Sequence, residues 1–154
     1  MAALDLVPVS VGVRTATAQL VLRAAAAPTT SYVATTNTVN TIGWEYVHFA
    51  LAYTNGDETS IQIVPQLYDG TTWHDASFKA TQATAVSEVT SDVLNLTKAT
   101  MSTRYGAGTL GNFVLPPVSC IGFQQARLVV KSTGGTPTGT IGVTVTGSIT
   151  VKTR

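Results

Sequence analysis

The last strand-forming stretch, "TIGVTVTGSITV", places Ile141, Val143, Val145, Ile149 and Val151 on alternate positions, with only threonine, serine and glycine between them. A helix cannot use that spacing. A period of two puts all the apolar groups on one side of an extended chain and all the hydroxyls on the other. The segment is therefore a β-strand with one face committed to a core. The same period recurs at the other end of the chain, where "LVPVSVGV" alternates Val7, Val9, Val11 and Val13. Pro8 has no N–H to give to a ladder, so residues 1–14 are expected to be an extended arm or an edge strand.

Composition agrees with strands. Of 154 residues, 27 are threonine, and valine is abundant; both are β-branched and favour extended backbone. "TIGWEYVHFALAYT" is predicted to be a strand with apolar groups on both faces: Val47, Phe49, Leu51 and Tyr53 on one, Trp44, Tyr46 and His48 on the other. "NGDETS" reads as a turn. "SIQIVPQLYDGTTWHDASF" reads as a hairpin closed at Asp69-Gly70, with Trp73 opening the return strand and Pro65 suggesting an edge or a bulge. The alanine run 24–27 is too short to hold a helix alone. "ARLVVKSTGGTPTGTIGVTVTGSITV" reads as a terminal antiparallel pair, with Gly142 and Gly147 at bulges or close backbone contacts. Residues 79–112 are expected to be a long irregular excursion, in which Val86, Val89, Val93 and Leu96 have helical spacing. About eight strands and no convincing helix predict a single all-β domain over 1–154, an antiparallel sandwich of jelly-roll type.

Charge narrows the function. Charged residues make up 11% and the net charge is +1. Lys and Arg are scattered, so the basic stripe that phosphate neutralisation requires is missing, and no nucleic-acid partner is expected. No run of about 20 apolar residues exists, so no membrane span is expected. Nothing at the start has the pattern of a signal peptide, and the one cysteine, Cys120, reads as a small buried hydrophobe. A surface this poor in charge is weakly defended against association.

Catalytic patterns do not assemble. "GAGTLG" at 106–111 matches a dinucleotide fingerprint, but "NFVLPP" follows where a helix N-terminus is required. His48 and His74 are far apart, and Asp75, next to His74, points to the opposite strand face. One cysteine and two distant histidines do not make a metal site. No catalytic residue, metal or cofactor is expected. The candidate contact residues are Trp44, Tyr46, His48 and Trp73, with Val7 and Val9 on the arm. The aromatic ones read as core, as a subunit contact or as a platform for sugar rings.

"ARLVVK" followed by "GGTPTGTIGVTVTGSITV" resembles the closing strand pair of small tailed-bacteriophage virion proteins. "LYDGTTWHDAS" is similar to hairpins of such modules and of carbohydrate-binding domains. In size and composition the chain resembles the capsid decoration (cement) proteins. That resemblance implies a non-enzymatic virion protein, made in bacterial cytoplasm, forming a homotrimer and binding the major capsid protein across capsid subunits. The alternatives are a carbohydrate-binding module, or a tail, neck or head-fibre component.

Overall fold

The computed structural model describes residues 11–15, 20–54, 56–76, 94–97 and 110–152. All the regular structure within them is strand: β1 (Val11–Thr15), β2 (Leu20–Ala26), β3 (Val33–Ala34), β4 (Val39–Asn40), β5 (Tyr46–Thr54), β6 (Ser60–Tyr68), β7 (Trp73–Asp75), β8 (Leu94–Thr97), β9 (Leu110–Val114), β10 (Val118–Ser119), β11 (Gln125–Thr133) and β12 (Thr140–Lys152). They form two antiparallel six-stranded sheets.

Both sheets have the same plan. In the first, β12 and β5 are central; β1 and β2 share one edge, and β9 and β10 share the other. In the second, β11 and β6 are central; β3 and β4 share one edge, and β7 and β8 the other. Counting each split edge as one strand gives the eight-strand, two-sheet jelly roll expected from the sequence. Between the sheets, Val47, Phe49 and Leu51 of β5 and Ile141, Val143 and Val145 of β12 meet Ile61, Ile63 and Leu67 of β6 and Ala126, Leu128 and Val130 of β11. This is the face that the period-two pattern commits.

Three expectations are corrected. The last two strands are not a hairpin: β11 lies in the second sheet and β12 in the first. Their long connection turns at Gly134 and Gly135, which both have positive φ, and it is long enough to cross the ~10 Å between sheets. Likewise β5 and β6 do not pair; "NGDETS" crosses between the sheets, with Asn55 outside the described residues. Pro65 sits in a central strand rather than on an edge. Its carbonyl accepts from Ala76 N, so its missing N–H faces the gap between β7 and β8, where no ladder bond is lost. The alanines 24–26 belong to strand β2.

Other expectations fall partly outside the described residues. Residues 11–15 form an edge strand against β12, whereas the rest of the proposed arm lies outside them. So do Val86, Val89 and Val93, while Leu96 belongs to strand β8, paired with β6. Of "GAGTLG", Leu110 and Gly111 start β9 and the remainder lies outside. The hairpin of β6 and β7 forms as expected: Tyr68 faces Trp73, and Gly70 adopts φ 104° in the turn.

Two crossing connections at one end of the sandwich, β5–β6 and β11–β12, are held by Glu58, which is fully buried. Its Oε1 accepts from Tyr53 Oη and from Gly56 N, and its Oε2 accepts from Thr138 N (3.2 Å) and Gly139 N (3.1 Å). Burial by itself would raise the carboxyl pKa. The hydrogen bonds from Tyr53 and the backbone outweigh it and hold the pKa below its ordinary value. Burial, together with the same contact, pushes the Tyr53 hydroxyl far up. A Cβ at residue 139 would collide with Glu58, so glycine there is a packing requirement.

Because the folded-state pKa of Glu58 is depressed, its contribution is complete above the unfolded carboxylate range and is lost as pH falls through the folded value. Glu58→Gln is expected to cost about 2–4 kcal/mol, since an amide presents a donor to backbone donors. Thermal melts should show the wild type losing stability on acidification below the carboxylate range. The variant should melt lower at neutral pH and show a flatter acid limb.

Candidate functional site

Strand β5 places its candidates unequally. Tyr46 and His48 point outward and are half-buried, while Val47 and Phe49 point into the core. His48 Nε2 lies 2.8 Å from Ser148 Oγ on the neighbouring strand, and burial lowers its pKa. Trp44 is not on their face. It precedes the strand, inside a turn, where strand parity does not apply. Its ring packs against the core and lies directly on Gly147, where any Cβ would overlap it. The glycine expected to mark a close approach therefore does so, and the approaching group is Trp44. Gly142 lies where the pairing of β12 with β2 slips register.

Trp73 is also half-buried. Its ring is 5.1 Å from that of Tyr68, and the Arg127 guanidinium lies 3.9 Å over it. Arg127 Nε donates to Gln66 Oε1, and Gln66 Nε2 donates to Asp75 Oδ1. Lys131 Nζ lies 4.5 Å over the ring of Tyr32, which stays 43% exposed. The outer face of the second sheet is thus a charged, hydrogen-bonded lattice, and none of Trp44, Tyr46 and Trp73 is exposed. Val7 and Val9 lie outside the described residues.

Asp69 and His74 serve a turn. Asp69 accepts from Thr71 N and Thr72 N, both at 2.7 Å, and its other oxygen meets His74 Nε2 at 2.7 Å. The backbone amide of Thr72 and the imidazole pull its pKa down to about 2. His74 pairs with Asp69 across the turn rather than with its neighbour Asp75. Cys120 is buried, with its thiol pushed up to about 11 by that burial. Among the described residues, no group of three or more His, Cys, Asp or Glu is placed to hold a metal ion.

Two apolar features stand out, and sequence reasoning had singled out neither. At the end of the sandwich near Trp44, two turns lie side by side, Thr41–Trp44 and Cys120–Phe123. In each, the fourth N–H returns to the first carbonyl (2.9 and 3.0 Å), and the third residue is a glycine at φ 84–85°. This is type II geometry, which requires positive φ there. The turns also bond to each other. Thr41 N donates to Gln124 O, Cys120 N donates to Glu45 O, and Thr41 Oγ1 donates to Phe123 O. Trp44 and Phe123 pack inward against the core. Ile42 and Ile121, at the second turn positions, remain 69% and 66% exposed. A signal was present: "VNTIGWE" and "VSCIGFQ" share valine, isoleucine, glycine and an aromatic at equal spacing.

The second feature is a trough of about 510 Å³ on the outer face of the first sheet. Its floor is Ala50, Ala52 and Gly142. Val21 and Val114 flank it, 55% and 67% exposed.

No protein-family model, curated protein or solved structure matches this chain.

Because Trp44 closes the end of the core, Trp44→Ala is expected to lower stability by about 2–4 kcal/mol, below the range for a fully buried tryptophan. Gly147→Val should cost about 1–3 kcal/mol by displacing the ring. The double variant should cost less than the sum, because both changes act on one contact. Chemical denaturation of the three variants reads this coupling; strict additivity would contradict the contact.

Proposed function

We propose that the chain is a non-enzymatic structural subunit of a bacteriophage particle, one that decorates a capsid and acts by adhesion. The observation that carries the adhesive part is the paired turn end. Two exposed isoleucines there sit on backbone locked by mutual hydrogen bonds and backed by two inward aromatics. A protein contact gains most from apolar groups that are already ordered, since little side-chain and loop entropy remains to be lost. The capsid partner, the major capsid protein, comes from the resemblance of composition and closing strands. The jelly roll is compatible with it, as that fold serves viral shells as well as lectins.

Carbohydrate binding is the weaker reading. A sugar-stacking platform needs an open aromatic face; Arg127 covers Trp73, Trp44 lies on Gly147, and Tyr32, though 43% exposed, carries Lys131 over its ring. Three ionisable side chains have structural duties: Glu58 in the crossings, Asp69 and His74 in a turn.

The test is to fractionate intact phage particles on a density gradient and count copies of this chain by quantitative mass spectrometry. Decoration predicts hundreds of copies per particle. It also predicts that an Ile42→Ser/Ile121→Ser variant, still folded, stays in the soluble fraction. A few copies at one vertex would instead make the chain a tail, neck or head-fibre component. Absence from particles would overturn the proposal.

A further inference from the structure

The described strands fall into two matching halves, β1–β6 and β7–β12, and every pairing among them joins one half to the other. β1 and β2 pair with β12 as β7 and β8 pair with β6. β3 and β4 pair with β11 as β9 and β10 pair with β5. The central pair β5–β12 answers the central pair β11–β6. One two-fold operation therefore exchanges the sheets and carries each described strand onto its counterpart.

The match is tightest at the paired turns. Residues 39–54 and 118–133 align without a gap, as short strand, type II turn and long strand. Val39 pairs with Ala126 as Val118 pairs with Val47. Thr41 N donates to Gln124 O and Cys120 N donates to Glu45 O, both at 2.9 Å. Residue i meeting j while the counterpart of j meets the counterpart of i is the pattern of a two-fold contact. The local axis thus passes between the turns, and Ile42 and Ile121 stand on either side of it with nearly equal exposure.

The residues that the halves share are informative. Inside the core the equivalent side chains differ: Val47, Phe49, Leu51 and Tyr53 correspond to Ala126, Leu128, Val130 and Ser132. A core tolerates such changes when its volume is repacked. At the turns, the fold accounts for most of what is repeated. Val39 and Val118 are buried, Gly43 and Gly122 have positive φ, and Trp44 and Phe123 close the core. It does not account for the isoleucines. The second position of a type II turn accepts most residues, and these two side chains stay largely in solvent. The same apolar residue thus stands at two equivalent exposed positions, in front of a core that differs between the halves.

We propose that the turn end straddles a two-fold seam between two identical copies of one partner protein, with Ile42 in an apolar socket of one copy and Ile121 in the same socket of the other. The proposal rests on reading the chain as a capsid decoration subunit, whose partner is then the shell protein. A socket that fits one isoleucine fits its equivalent, because the turn, the glycine and the backbone bonds behind it are the same. Two copies related by a two-fold axis present that socket twice, in the relation that the chain's own axis requires. A single copy would bury one isoleucine and leave the other wet. Engaging both through one rigid body raises the overall affinity above that of either contact alone.

Two consequences separate this arrangement from a one-sided contact. A seam takes one chain for two partner subunits, so binding saturates at no more than that ratio. The isoleucines also carry similar shares of the affinity. Glu45 corresponds to Gln124, so the shares are similar rather than identical.

The test uses shells assembled without this chain, titrated with the purified full-length protein. Bound copies are counted by quantitative mass spectrometry. Saturation is expected at or below one chain per two shell subunits. Ile42→Ser and Ile121→Ser should each weaken binding by about 10-fold or more, since each removes a buried aliphatic side chain from the contact. The two losses should agree within about 3-fold, and the double variant should bind more weakly than either. All three variants should keep the wild-type melting curve, because both side chains are exposed. Saturation above one chain per two subunits would overturn the inference. So would one variant binding like wild type while the other fails. Either result leaves the decoration reading standing. Shells that bind no wild-type chain would overturn both.

Discussion

Connections in this chain repeatedly pass from one sheet to the other, as between β5 and β6 and between β11 and β12, so the backbone crosses the edge of the core again and again. Each crossing brings peptide groups close to an apolar interior, where an unpaired N–H costs free energy comparable to a lost hydrogen bond. Glu58 answers that constraint at one end. A single carboxylate takes the amides of Gly56, Thr138 and Gly139 and the hydroxyl of Tyr53, so two crossings depend on one side chain. The glycines around it leave the room it occupies. A buried acid is a poor choice for stability alone, but it fixes the connection β5–β6 against β11–β12, and with them the pairing of the two sheets.

The opposite end meets the same constraint without a charge. The two type II turns satisfy each other's backbone, Thr41 against Gln124 and Cys120 against Glu45. Their aromatics close the core, and their isoleucines are left outside. The motif occurs twice because the sandwich is built twice. Each copy of Val-x-x-Ile-Gly-aromatic ends a short edge strand in one sheet and starts a central strand in the other. Apolar exposure at this end is thus a consequence of how the fold closes, on backbone whose polar groups are engaged.

The jelly roll was legible because its cause is periodicity. The alternation of Val47–Tyr53 and Ile141–Val145 states which groups face the core, whatever the strand partner. Partners are not written in that pattern, so β11 and β12 looked like a hairpin. The decisive information lay in Glu58, a residue in a polar loop whose buried role no local rule reveals. Trp44 was misplaced for a related reason: parity assigns faces only within a strand, and the strand begins at Tyr46. The paired turns and the trough were legible in principle. The repeated Ile-Gly-aromatic was there to be aligned, and Ala52 of β5 meets Gly142 once the pairing is known.

On the proposed reading, function lies in a rigid apolar surface rather than in a reactive group, and its central requirement is that the turn end be as firmly held as the core behind it. Hydrogen–deuterium exchange measures this directly. The amides of Thr41, Trp44, Cys120 and Phe123 should exchange as slowly as those of the central strands β5 and β11, opening only with the whole sandwich. Fast exchange at these four positions, with β5 and β11 still protected, would contradict the claim that the paired turns present a preformed contact.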